Sequence, residues 1–543
     1  MQNESSKTQK IRTTSVAIFT KIKESGKNSI RKLADLINRP KSSVHRHLQA
    51  QERRDLHPES SLWESPEGYA WLRILVFATL YVFCLGRGVG TDQLSLFFKL
   101  IRIDTHVGLS PSALQHLVQQ MEALLPQFQD SCEKSVKKAN RQVVVGMDET
   151  FFGSFLILVL MDLQSGYLLL EDISDDRCYE TWHAKTTPRL ESLGIEVSYA
   201  VSDRAKALIK LALTGFDCDS GADLFHAQQD VSRWLGAKLG NRCKSAQKEL
   251  EAAQHAENKA SSAGTEDERI MLQENRMAAE KTLAANQQSQ SDYHDNLQAI
   301  SDAVHPFSLA DSTQNNAVKV EELLEQRAQA FEKIAQQQGI ADNRNTMKTF
   351  RNQIQPLAVT VSCWWLWVWE TLAKLAVDEL TQNWLTMTLL PAVYWHHQMN
   401  KTQNRKAKAQ YRKAWEQAVA NFDSHPFTAS LSDGEIQHWL ALVDSMARQF
   451  HRSSSAVEGR NGCLSQMYHN GRGLSKRRLQ SATVIHNYGI KREDGTTAAM
   501  RLFGTEFPDL FSWLLEHMGE LPLPRKGRKR MLPNPLKLIS VPA

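Results

Sequence analysis

The chain has 543 residues and a mass of 61.5 kDa, room for three to five domains of about 100–200 residues, or for one domain with large insertions. Hydrophobic residues at 42% and charged residues at 23% exclude a disordered chain, and seven cysteines, no two within four positions, exclude a disulfide framework and a zinc ribbon or finger and suit a reducing cytosol. The net charge is only +5, but residues 1–57 carry thirteen Lys/Arg against five Asp/Glu, so the surplus lies in the N-terminal arm, as a polyanionic partner would require.

The first ten residues have no apolar core, so no secretory signal is expected. Thr14-Ser15 can cap a helix that ends at Gly26. Ser29–Ile37 and Lys41–Leu48, joined through Asn38-Arg39-Pro40, predict a helix-turn-helix. Lys41, Ser42, Ser43, His45 and Arg46 on the second helix are the small polar and cationic side chains that phosphates and base edges need, although a solvated basic hairpin has the same composition. A helical unit follows over about 66–130. Its most apolar run, Ile74–Gly86, is shorter than the roughly 20 residues that span a bilayer, and predicts a buried helix. Ser110-Pro111 opens a further helix in this unit, which could be a second helix-turn-helix or a packing element.

At Arg141 the period changes. Gln142–Met147, Phe155–Met161 and Tyr167–Ile173 predict three strands in an antiparallel meander. A helix over about 179–193 ends at Gly194, and a fourth strand covers Ile195–Ser202. A helix over 205–213 leads to a fifth strand at Ala222–His226. The order β-β-β-α-β-α-β is that of an RNase H-like domain. From about 228 to 450 the composition is helical, with an Ala/Gln/Glu/Lys-rich, proline-free stretch at 244–300 suited to a long arm, and tryptophans 364, 365, 367 and 369 suited to a core or, for one of them, to stacking on an unpaired base. The expected division is 1–60, 61–138, 139–227, 228–450, 451–520 and a basic tail, 521–543.

Three acids stand where such a sheet would bring them together. Asp148 ends the first strand, Asp203 follows the fourth, and Glu458 lies near a helix start. Adjacent strand-end carboxylates with a third from a helix laid over them make a hard-oxygen site for Mg²⁺. Each has a structural alternative: Asp148 a turn, Asp203 a cap for the next helix, and Glu458 the fourth position of a Ser455-Ala-Val-Glu458 capping box. Glu149 should face the opposite side of the strand, and Asp172, Asp175 and Asp176 read as a solvated turn.

With these motifs the chain resembles a bacterial insertion-sequence transposase of the DDE type, over the N-terminal helices, the sheet region of about 140–230 and the Glu458 segment of about 450–490. The resemblance implies an α/β RNase H-like catalytic core with an N-terminal helix-turn-helix DNA-binding region and a large all-helical insertion. The 55 positions from Asp148 to Asp203 and the 255 from Asp203 to Glu458 suit that insertion. It implies catalysis by Asp148, Asp203 and Glu458 holding two Mg²⁺ (or Mn²⁺) ions, cleavage at element ends and strand transfer. The family often carries Cys or Asp, two residues, then His after the second Asp. Asp223-Leu-Phe-His226 matches it, giving Asp223 and His226 a supporting role or a plain structural one. Arg460 and Asn461 are expected to meet phosphate and base edges, and Arg472, Lys476, Arg477, Arg478 and the 525–530 run to contact DNA backbone. The expected partners are double-stranded DNA (terminal inverted repeats and target) and a second copy in a homodimer or larger oligomer, with no membrane, in a cytoplasmic, nucleoid-associated setting. A catalytically silent DNA-binding regulator and a nuclease without strand transfer are the alternatives.

Overall fold

A computed structural model describes residues 2–26, 28–137, 140–260, 265–471 and 473–524. It divides more coarsely than the six expected segments, into residues 1–137 with 462–543 and residues 138–461; the boundary falls inside the helix Ser455–Gly471.

The first unit is helical. Gln2–Ser25, Ile30–Leu36 and Lys41–Arg54 close on a small core of Ile18, Leu33, Ala34 and Val44. Ser29 caps the second helix, and Asn38 turns the chain at φ 51°, a left-handed conformation that Asn tolerates. Thr14 does not cap the first helix. That helix runs through it, and the Thr14 hydroxyl donates back to the Lys10 carbonyl at 2.8 Å. Ser110 caps Pro111–Ser135 as expected. The apolar run belongs to a longer helix, because Ser65 and Pro66 start it eight residues earlier; Pro66–Thr79 continues in π geometry through Leu85. Among the described helices this one is long and apolar enough to cross a membrane. The expected burial holds for part of it: Leu72, Val76, Phe77, Leu80 and Leu85 are fully buried, while Trp71, Ile74, Val82 and Phe83 are exposed.

The second unit is built on one mixed sheet of β1 (Arg141–Phe152), β2 (Phe155–Asp162), β3 (Leu168–Ser174), β4 (Ile195–Ser202) and β5 (Asp219–Ala222), in the order β3-β2-β1-β4-β5. β1, β2 and β3 pair antiparallel, and β4 and β5 join parallel to β1. The Val/Leu/Ile runs are buried almost throughout, as a sheet covered on both faces requires. Gly194, at φ 64°, ends the helix Tyr179–Leu193 and feeds β4 directly. The fifth strand lies earlier than expected. β5 stops at Ala222, and Asp223 caps a helix, Leu224–Val231, by accepting from Phe225 N at 2.8 Å. The segment read as strand around His226 is therefore a helical first turn, since an Asp side chain satisfies the amides that a strand would have spent on a neighbour.

From Leu224 to Arg448 every described element is a helix apart from an isolated bridge between Phe307 and Gln314. The core of this segment contains Trp364 and Trp365, 5% and 4% exposed, together with Phe307, Trp384, Tyr394 and Trp395. Ala237–Ala260 and Glu266–Ala303 pair around Ala246, Leu250 and Leu283 and form the polar arm. The segment returns to where it left: Leu224 N donates to Arg452 O at 3.0 Å, and Arg452 Nη1 donates to Val304 O at 2.8 Å.

Candidate active site at the end of the parallel strands

The last β1–β4 pair is Gly146 with Val201, so Asp148 stands just past the end of β4, paired only with Val159 of β2. The Glu458 helix crosses β1 at this point. Gly146 permits the approach, because a Cβ there would sit 2.8 Å from Val457 Cγ2 and 2.7 Å from Leu163 Cδ2.

Asp148, His226 and Glu458 converge, with one donor atom from each lying within 4.8 Å of the other two. Asp148 is largely buried. Its Oδ1 accepts from Glu149 N at 2.8 Å and its Oδ2 from Asn461 Nδ2 at 2.6 Å. Burial pushes its pKa up to about 7; the Glu149 amide opposes the shift and the Glu458 charge adds to it. His226 Nε2 lies 3.1 Å from Glu458 Oε1 and 3.8 Å from Asp223 Oδ2, yet it is buried and makes no well-aligned hydrogen bond with protein. Asn461 Oδ1 is buried in the same condition. Two carboxylates and an imidazole nitrogen thus meet in one small volume, with the Asn461 amide bonded to Asp148 at its edge. An oxygen-rich set of this kind suits a hard divalent cation.

Asp223 is 1% exposed. Besides capping the His226 helix, it accepts a hydrogen bond from the Ser454 hydroxyl, directly before the Glu458 helix, and its backbone N donates to Ser202 O at 2.9 Å. It ties the end of β4 to the starts of both site helices. Ser454 went unrecognised in the sequence; its signal was the Ser453-Ser454-Ser455 run, more hydroxyls than one helix start can use.

Two expected residues lie elsewhere. Asp203 is exposed on the turn after β4, outside the convergence, with Oδ1 accepting from Ala205 N at 2.9 Å and Arg204 at φ 66°. Its charge acts on Glu149, whose side chain is buried on the other side of β1 against Arg177 and Trp182. Arg460 does not reach outward for phosphate. Its Nε and Nη2 donate to the two Glu171 carboxylate oxygens at 2.7 and 2.6 Å, with both side chains buried. Glu171 of β3 stands in the same cross-strand row as Val159 and Asp148, so this bidentate pair fastens the Glu458 helix over the sheet. Glu458 Oε1 faces His226 Nε2, and Ser455 is the first residue of the helix and not its cap, with Glu458 N donating to Ser454 O at 3.2 Å.

In the first unit, Lys41, Ser42, His45 and Arg46 are exposed and Ser43 half-buried, while Val44 faces the core. Arg46 Nε donates to Ser42 O at 3.3 Å and His45 pairs with Gln49 at 3.1 Å, so these contacts stay within the helix. Lys476 and Arg477 are exposed, but Arg478 is used internally, donating to the Cys84 carbonyl at 2.7 Å and to Cys84 Sγ at 3.1 Å. Arg472 and the 525–530 run lie outside the described residues.

A model described as a family of unknown function (DUF6399) matches residues 385–530. This stretch holds Glu458 and Asn461 but not Asp148, Asp203 or His226. No curated protein matches the chain.

Proposed function

We propose that the chain is a DDE-type transposase, a metal-dependent polynucleotidyl transferase that binds the ends of a mobile DNA element, cleaves them and joins them to target DNA. The observation that carries this reading is the meeting of Glu458 with Asp148, with His226 beside them, although the long helical stretch from Leu224 to Arg448 separates Glu458 from the sheet in sequence. The strand order β3-β2-β1-β4-β5 with parallel β1, β4 and β5 supports an RNase H-like core, and the Ile30–Leu36 and Lys41–Arg54 helices across the Asn38 turn support a helix-turn-helix.

In this reading Asp148 and Glu458 hold Mg²⁺ or Mn²⁺. When bound, the ion stabilises charge on the phosphodiester and activates a water or 3′-hydroxyl. Asn461 fixes the rotamer of Asp148. His226 orients Glu458, and Asp223 holds the helix that carries His226. Asp203, exposed on the turn after β4 and tied through one backbone amide, is the carboxylate that would help to hold a second ion. Two DNA ends call for a dimer or larger oligomer.

The test is strand cleavage of a duplex containing the DNA that borders the reading frame, with Mg²⁺ or Mn²⁺. The expected result is metal-dependent nicking that Asp148→Asn, Asp203→Asn and Glu458→Gln each abolish while DNA binding persists. Undiminished nicking by the Glu458→Gln protein would refute the reading.

A further inference from the structure

The helix that begins beside the candidate site continues, through a π-helical turn at Ser232–Gly236, into Ala237–Ala260. His226, Asp230 and Arg233 are spaced by four and three residues and share one face. Arg233 and Lys238 are five apart, a spacing that would diverge on an α-helix, but the i→i+5 repeat of the π turn brings them back into line. Along this face lies an open groove of about 490 Å³, and Asn343, Arg344, Thr346 and Thr349 line it from the loop and helix opposite. Arg233, Lys238 and Arg344 are exposed. None of the three has a carboxylate partner among the described residues, although Lys238 Nζ donates to Ala341 O at 3.4 Å. The acids nearby are Asp230, on the groove wall, and Asp342, which is committed to the Thr346 and Met347 amides.

We infer that this groove holds the phosphodiester backbone of the DNA whose scissile bond sits at Asp148 and Glu458. The inference rests on the proposed function. Three cations without a carboxylate partner among the described residues, with the Asn343 amide beside them able to donate to phosphate as well, suit contacts that position a duplex through its backbone. The distance also fits. At about 1.5 Å per helical residue, Arg233 lies roughly 10 Å and Lys238 roughly 18 Å along the helix from His226, and the latter is the rise of about five base pairs. The track would therefore hold one flank of the cleaved bond on the catalytic unit itself, independently of the N-terminal helices.

The test uses the full chain and a random-sequence duplex, with affinity followed against salt by fluorescence anisotropy. The Arg233→Gln/Lys238→Gln/Arg344→Gln variant should lower the slope of log K against log salt by about 2.7, near 0.9 for each phosphate that is no longer neutralised. Neutralising three equally exposed cations of the arm, Lys259, Arg269 and Lys281, should leave the slope within about 0.5 of wild type, well under the effect of a single phosphate. In the cleavage assay the groove variant should raise KM and keep kcat. An unchanged slope, an equal reduction in the arm variant, or no DNA binding by the wild-type chain overturns the inference. Should Glu458→Gln abolish cleavage while the groove variant keeps its slope, the groove assignment alone falls; should Glu458→Gln cleave normally, the active-site reading itself falls.

Discussion

Replacing Arg460 with Ala distinguishes a structural arginine from a DNA-contacting one. The Glu171 side chain is fully buried, and both its carboxylate oxygens accept from the Arg460 guanidinium at 2.6–2.7 Å. Removing one partner of such a pair leaves a desolvated charge, at a cost of about 3–5 kcal/mol. For a unit of this size that corresponds to a fall in unfolding midpoint of roughly 4–7 °C. The change is read by differential scanning calorimetry, with near-ultraviolet circular dichroism assigning the transition. Because the penalty belongs to the unpaired charge, Arg460→Met combined with Glu171→Leu should recover most of the stability, as apolar replacements of buried pairs commonly do. A phosphate-contacting arginine behaves in the opposite way: its removal would leave the midpoint within about 1–2 °C, since exposed substitutions change stability by less than about 0.5 kcal/mol, and would weaken DNA binding. That outcome, or a double variant as unstable as the single one, would refute the clamp.

Asp148 makes the site sensitive to pH. Its pKa is raised on folding, so the folded state binds the proton more tightly than the unfolded one, and stability from this group is lost as pH rises from about 4 to about 7. Asp148→Asn should flatten that part of a metal-free stability profile, and Mn²⁺ affinity measured by calorimetry should rise over the same window and level off above pH 7. Gly146→Val should force Val457 and the Glu458 helix away from β1, costing about 1–3 kcal/mol by overpacking and lowering cleavage more than DNA binding in paired assays. Asp223→Ala should cost about 1 kcal/mol for the missing cap and more for the orphaned Ser454 hydroxyl, seen as a lower unfolding midpoint with reduced metal affinity. Lys41→Ala and Arg46→Ala should each reduce the salt slope of binding to element-end DNA by about 0.9 while leaving the unfolding midpoint unchanged, because both side chains are exposed.

The local pattern of the chain was enough to find the first four strands of the sheet, though not the far end of β1 or the position of β5. The Val- and Leu-rich runs at 142–147, 155–161 and 195–202 are strands because fully buried strands need continuous apolar residues, and Gly166 and Gly194 stand where positive φ is required. The Ala/Gln/Glu/Lys composition of 244–300 likewise foretold its helices, and the Trp364–Trp365 pair its core. Glu458 could be named because a helix start is a local feature; the sequence pattern puts Asp148 at the end of its strand, but β1 runs on to Phe152, and it is β4 that stops beside Asp148. What each polar group does with its partners was not local. Asp223 and Asp203 each directly follow a strand, β5 and β4, although the sequence pattern puts Asp223 within its strand. Only the packing buries the first against Ser454 and leaves the second on an exposed turn. Arg460 and Asn461 are neighbours one helical step apart, about 100° around the axis. That rotation sends one to Glu171 on β3 and the other to Asp148 on β1, a difference decided by the register of three strands and by the angle at which the Glu458 helix crosses them.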